Sequence, residues 1–141
     1  MVTPNNTVKI REQQFVCRNE GNLRTDYKIG KVLGKGAYGE VRVAVHRASA
    51  AQRAVKTLKK KHMSKKEIEV LMNEITVLKE LDHPNIVKIF EYFEDKQNFY
   101  IVTEICRGGE LFDEIIERGH FQEKDAAVVT RCLLSSVNYC H

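Results

Sequence analysis

No stretch of this 141-residue chain is long and apolar enough to span a bilayer, and no secretory leader is expected at its start. The second residue is Val2, so no N-myristoylation is expected at this terminus. Four cysteines, Cys17, Cys106, Cys132 and Cys140, contain no C-x-x-C pair, and with the five histidines they offer no zinc-ligand spacing. No metal ligands are therefore assigned, and scattered thiols of this kind suit a reduced, cytoplasmic protein. Neither sign of charge dominates: 23 basic against 19 acidic residues leave +4, too little by itself to argue for nucleic acid. The basic excess collects in Lys56, Lys59, Lys60, Lys61, Lys65 and Lys66, but no aromatic side chains interleave it. A base-stacking surface is thereby disfavoured, and the run reads as a solvated face. Also missing are internal repeats, an EF-hand calcium loop and the Gly-Lys-Ser/Thr that closes a Walker A motif.

What is present centres on Leu33-Gly34-Lys35-Gly36-Ala37-Tyr38-Gly39-Glu40-Val41, a G-x-G-x-x-G pattern. Glycine removes side chains from between backbone amides and a ligand, and such a loop suits phosphate. A dinucleotide-binding fold would continue into a helix. Here Glu40–His46 alternates with period two, and Tyr27–Leu33 before the loop also reads as a strand. The glycines thus cap a β-hairpin, an arrangement in which the loop lies over phosphates.

The third strand, Gln52–Leu58, places Ala54, Lys56 and Leu58 on one face and Val55 on the other. Ser64-Lys65-Lys66-Glu67 fits a capping box opening a helix. Its apolar stripe is Ile68, Leu71, Met72, Ile75, Leu78 and Leu81. Glu74 falls beside that stripe, and a carboxylate held against an apolar face needs a partner. Lys56 is the expected partner, through an ion pair across the cleft. Pro84 ends the helix. Strands at Ile86–Phe93 and Asn98–Ile105 follow, then a break at Gly108-Gly109, a short helix at Glu110–Glu117 and a last helix from near Glu123. That last helix carries an apolar side of Val129, Cys132, Leu133, Val137 and Cys140, and no stop signal precedes His141. Val8-Lys9-Ile10 is a further short alternating piece.

The glycine loop, Ala54-Val55-Lys56, Asn73-Glu74-Ile75, Leu81-Asp82-His83-Pro84-Asn85-Ile86 and Gly108-Gly109-Glu110-Leu111-Phe112-Asp113 occur in order. Over residues 27–141 the chain resembles the small lobe of a protein kinase, and within that family the calcium-dependent and calcium/calmodulin-dependent Ser/Thr kinases. The resemblance implies an α+β fold: a five-stranded antiparallel sheet with one packed helix, a hinge, and the first helices of a helical lobe. It divides the chain into an extension at 1–26, the small lobe with the start of the hinge at 27–106, and the beginning of the large lobe at 107–141.

It also implies roles. Gly34, Lys35, Gly36, Ala37, Tyr38 and Gly39 fold over the phosphates of ATP. Lys56 grips the α- and β-phosphates and is held by Glu74. Leu33, Val41 and Ala54 sandwich adenine, Thr103 stands at the back of the pocket, and backbone groups of Glu104 and Cys106 meet the adenine edge. Glu110 meets the ribose and an arginine upstream of the phosphorylated Ser or Thr. The implied function is transfer of the ATP γ-phosphate, with Mg2+, to Ser or Thr of proteins that carry basic residues near the phosphosite. A calcium-binding regulatory domain is implied for a longer form. No His-Arg-Asp catalytic loop and no Asp-Phe-Gly occurs in the 141 residues, so the Mg2+ ligands lie outside this sequence and the chain reads as a kinase fragment. The alternatives are a non-catalytic nucleotide-binding or regulatory fragment and, from another class, a basic nucleic-acid-binding module.

Overall fold

The computed structural model describes residues 17–19, 21–36 and 39–141. Its centre is a sheet of order β1-β5-β6-β4-β3-β2. The five strands β2 (Tyr27–Gly36), β3 (Gly39–His46), β4 (Gln52–Lys59), β5 (Ile89–Glu94) and β6 (Asn98–Thr103) are antiparallel to their neighbours, as the resemblance implied. A sixth strand, β1 (Cys17–Asn19), adds at the edge and runs parallel to β5. It comes from the stretch read as an extension. The strand expected at Val8–Ile10 lies outside the described residues, as do Ala37 and Tyr38 of the glycine loop.

The long helix α2 (Lys65–Glu80) begins where the capping box placed it. The Ser64 hydroxyl accepts from the Glu67 amide at 3.3 Å, and the Glu67 carboxylate accepts from the Ser64 amide at 2.7 Å. Two otherwise orphaned donors are satisfied, so the first turn does not fray. Leu71 and Ile75 are buried against Leu58, Ile89, Tyr92, Phe99 and Ile101, with Ile68, Met72 and Leu78 at the margin. The other sheet face has its own core of Leu23, Tyr27, Ala44, Val55, Phe93 and Val102. Leu58 and Val55 thus fall in different cores, which is the face separation expected from strand alternation.

The second core draws on a short helix, α1 (Leu23–Asp26), capped by the Asn22 side chain, which accepts from the Arg24 amide. Leu23 and Tyr27 are buried there. The Tyr27 hydroxyl donates to the Glu91 carboxylate, and Asn19 Nδ2 reaches both Asp26 at 3.0 Å and Glu91 at 3.2 Å. Burial first, and the Glu91 carboxylate second, push the Tyr27 hydroxyl well above the usual tyrosine range.

After the sheet come α3 (Leu111–Arg118), closed by Gly119 at φ 75°, and α4 (Glu123–Cys140). Helix α4 touches the segment that follows α2. Tyr139 Oη accepts from the Asp82 amide at 3.0 Å, and His83 Nε2 lies 3.0 Å from Ser135 Oγ. Ser136 Oγ donates to the Asn85 carbonyl, and the His83 and Tyr139 rings sit 5.1 Å apart. The His-Pro-Asn turn is therefore the joint between the sheet unit and the last helix.

Candidate active site

Four of the expected nucleotide-binding residues share the sheet face that carries α2. In the ladder, Lys56 stands between Val41 on β3 and Ile101 on β6, and Ala54 stands between Val43 and Thr103. Directly opposed residues share a face, so Val41, Ala54, Lys56 and Thr103 all project to one side. Ala54 is buried, Val41 and Thr103 are half-buried, and Lys56 is exposed. Leu33, on β2 at the lip of the hairpin, is 46% exposed.

The three glycines of the loop have different physical reasons to be glycine. None of them has positive φ. A Cβ on Gly39 would stand 1.8 Å from the Thr57 carbonyl oxygen, so this glycine is required by the close approach of β3 to β4. A Cβ on Gly34 or Gly36 would meet nothing within 4 Å. Packing within the described chain gives no reason for those two, and the space above them is open. Lys35, between them, is exposed.

The hinge is held from below. The Glu104 amide donates to the Lys88 carbonyl at 3.0 Å, while the Lys88 amide donates to the Glu104 carboxylate at 2.8 Å. Thr103 Oγ1 donates to the Glu104 carbonyl at 3.0 Å. Among the described residues, no hydrogen bond engages the backbone of Cys106, which is exposed. Arg107 donates to the Gln52 side chain, tying the hinge to the start of β4. Gly108 and Gly109 follow with φ 104° and 84°, a conformation other residues rarely adopt. Glu110 then caps α3 with its backbone, and its exposed side chain makes no capping bond.

One expected contact is not made. No ion pair within 4.0 Å joins Lys56 to Glu74, and both side chains are exposed. Glu74 does flank the apolar stripe, at 60° from Leu71 and 40° from Leu78 by helical arithmetic. The helix, however, buries Leu71 and Ile75 chiefly toward β5, Tyr92 and Phe99, and leaves the Glu74 flank uncovered. The structure thus brings Val41, Ala54, Lys56 and Thr103 together and leaves Glu74 outside. Sequence reasoning missed α1, β1 and the Tyr27–Glu91 bond. The faint signal for α1 was Asn22, a good cap, directly before Leu23.

Comparison with known proteins settles the family. The protein kinase domain model matches residues 27–141. The chain belongs to the protein kinase family. It is 42% identical over 130 residues to calcium-dependent protein kinase 5 of Plasmodium falciparum, a match covering 92% of this chain and 22% of the relative. Calcium-dependent protein kinase 4 of the same organism is 41% identical over 137 residues, covering 96% of this chain and 26% of the relative. A probable myosin light chain kinase of Dictyostelium discoideum is 36% identical over 124 residues, covering 88% and 32%. The chain spans about a quarter of the length of the Plasmodium kinases it matches. Kinases of this family use ATP and Mg2+. The cleft face fits ATP in kind: open glycine backbone, a free ammonium, a small buried alanine and, at Cys106, a hinge backbone that is unbonded among the described residues. Among the described residues, no group of three or more His, Cys, Asp or Glu could hold a metal. No helix among the described residues is long and apolar enough to cross a membrane.

Proposed function

We propose that this chain is the ATP-binding part of a calcium-dependent serine/threonine protein kinase. The observation that carries the reading is the pair Gly34 and Gly36, open above the sheet, on a hairpin whose strand β3 sets Val41 against Lys56. Adenine would lie between Leu33, Val41 and Ala54, before Thr103 and against the backbone of Glu104 and Cys106. Lys56 would meet the phosphates under the loop of Gly34 to Gly39, which includes Lys35, Ala37 and Tyr38. Glu74 would reach Lys56 only after α2 rotates or moves toward β4. Magnesium would be held by residues other than those described. In the longer protein, Glu110 would pair with an arginine of the substrate, since guanidinium and carboxylate bind bidentately. Relatives named calcium-dependent support a calcium-binding regulatory domain in that longer protein, and the cysteine spacing supports a cytoplasmic location.

A second reading, a non-catalytic nucleotide-binding fragment, is favoured for the 141-residue polypeptide itself. It has no His-Arg-Asp or Asp-Phe-Gly sequence, and its Lys56 and Glu74 are apart. Titration with a fluorescent ATP analogue tests both readings. Wild type should bind, and Lys56→Met should bind about 10- to 100-fold more weakly, the loss expected for a charge-assisted bond of roughly 1.5–3 kcal/mol. Equal affinity for the two chains would overturn the assignment of this face to nucleotide.

A further inference from the structure

The sheet face away from α2 and Lys56 carries a second, separate concavity, of about 930 Å³. Its volume lies within the range of ligand pockets. Half-buried Ile29, Thr57 and Tyr100 form its floor. Its acids are already engaged. Glu40 pairs with Arg42 at 2.6 Å and Glu94 with Lys60 at 2.7 Å. Asp95 accepts from Tyr100 Oη at 2.8 Å and from the Gln97 and Asn98 amides at 2.7 Å. Burial alone would raise the Asp95 carboxyl, yet these bonds together hold it below the usual carboxylate range. Its remaining cations are not engaged in this way. Arg24, Arg47 and Lys59 line the concavity and make no ion pair among the described residues. Arg47 spends only its Nε, on the Arg24 carbonyl at 3.3 Å.

We propose that this outer face docks an extended acidic peptide segment of a partner protein. Two arginines and a lysine outside any ion pair among the described residues call for carboxylates or phosphates, and arginine binds both bidentately. The shape excludes a bilayer, which cannot enter a concavity. The chemistry disfavours nucleic acid. Tyr27 and Phe93 are buried in the core beneath, and the Tyr100 hydroxyl is held by Asp95, so no free aromatic platform is offered for bases. The chain's own first residues have the wrong charge, since residues 1–16 hold Lys9 and Arg11 against Glu12 alone. The site is independent of the nucleotide assignment, because Arg24 and Arg47 lie outside the strands of the cleft face and Lys59 shares the far face with Val55 and Thr57.

The test uses the whole chain and a fluorescein-labelled peptide of alternating Glu and Ser, followed by anisotropy. Binding should weaken as salt rises. The double variant Arg24→Glu/Arg47→Glu should weaken it about tenfold, through two lost pairs and two new repulsions. Lys59→Glu, on the same concavity, should weaken it severalfold. Lys65→Glu/Lys66→Glu, with the same change of net charge on exposed residues of α2, should leave it within about twofold. ATP-analogue binding should be unchanged in all of them. Equal weakening by the two double variants would reduce the effect to net charge and overturn the proposal. So would the absence of peptide binding at low salt, or binding of anionic vesicles or a single-stranded oligonucleotide in place of the peptide.

Discussion

Replacing the loop glycines one at a time by alanine should separate stability from binding. At Gly39 the new methyl would sit 1.8 Å from the Thr57 carbonyl oxygen, and that atom is backbone, so it cannot swing aside. Strands β3 and β4 must part by more than an ångström. The register pairs at risk are Gly39 with Leu58 and Glu40 with Thr57. Overpacking costs roughly 1–3 kcal/mol, and one or two weakened ladder bonds add roughly 0.5–1.5 kcal/mol each. The lower entropy of the unfolded alanine chain returns about 0.4–1 kcal/mol. The net loss is about 2 kcal/mol, which for a chain of this size lowers Tm by about 4–8 °C. Gly34→Ala and Gly36→Ala meet no neighbour and need no positive φ, so only the entropy term acts. They should hold or slightly raise Tm, while weakening the ATP analogue, because the methyl occupies the space proposed for phosphate. Thermal melts by circular dichroism and analogue titration on the three variants give the comparison. A fall in Tm for Gly36→Ala equal to that for Gly39→Ala would refute the packing argument. Unchanged analogue affinity in both Gly34→Ala and Gly36→Ala would refute the phosphate argument.

Other perturbations have equally definite outcomes. Ser64→Ala removes one half of the capping box and should destabilise the fold by about 1 kcal/mol, read as a lower urea midpoint with an unchanged slope. Tyr27→Phe leaves the Glu91 carboxylate without its hydroxyl donor and should cost about 1.5–3 kcal/mol. The raised hydroxyl also sets a pH dependence. The folded state keeps its proton more tightly than the unfolded chain, so this stability is intact below about pH 10 and is lost as pH rises beyond it. Stability curves at rising pH should therefore fall less steeply for Tyr27→Phe than for wild type. In the longer protein, Glu110→Ala should slow phosphorylation of peptides with an upstream arginine more than of peptides without one. Equal losses would leave Glu110 with a ribose contact alone.

Much of this architecture was legible in residue order because its causes are local. The period-two runs around the glycines could only be a hairpin, and Ser64 with Glu67 marked the start of α2 to the residue. Alternation along Gln52–Leu58 put Lys56 and Val55 on opposite faces, where the two cores now hold Leu58 and Val55 apart. What escaped depends on long-range geometry. Whether Glu74 meets Lys56 turns on how α2 sits across the sheet, and its stripe is wide enough to bury Leu71 and Ile75 against β5 without it. The role of Leu23, Tyr27 and Asn19 needed β5 to be placed beside them, since their partners are Phe93 and Glu91. Gly39 looked like its two companions in sequence, and only the distance to Thr57 distinguishes it.

The most direct measurement of the central claim is the map of backbone amide shifts when ATP is added to the isotope-labelled chain. Gly34, Gly36, Val41, Ala54 and Cys106 should move together and saturate at one concentration, while Leu23, Arg24 and Asn98, across the sheet, should stay in place. Shifts confined to that far face, or no saturable shift of the cleft residues, would contradict the assignment of the cleft to ATP.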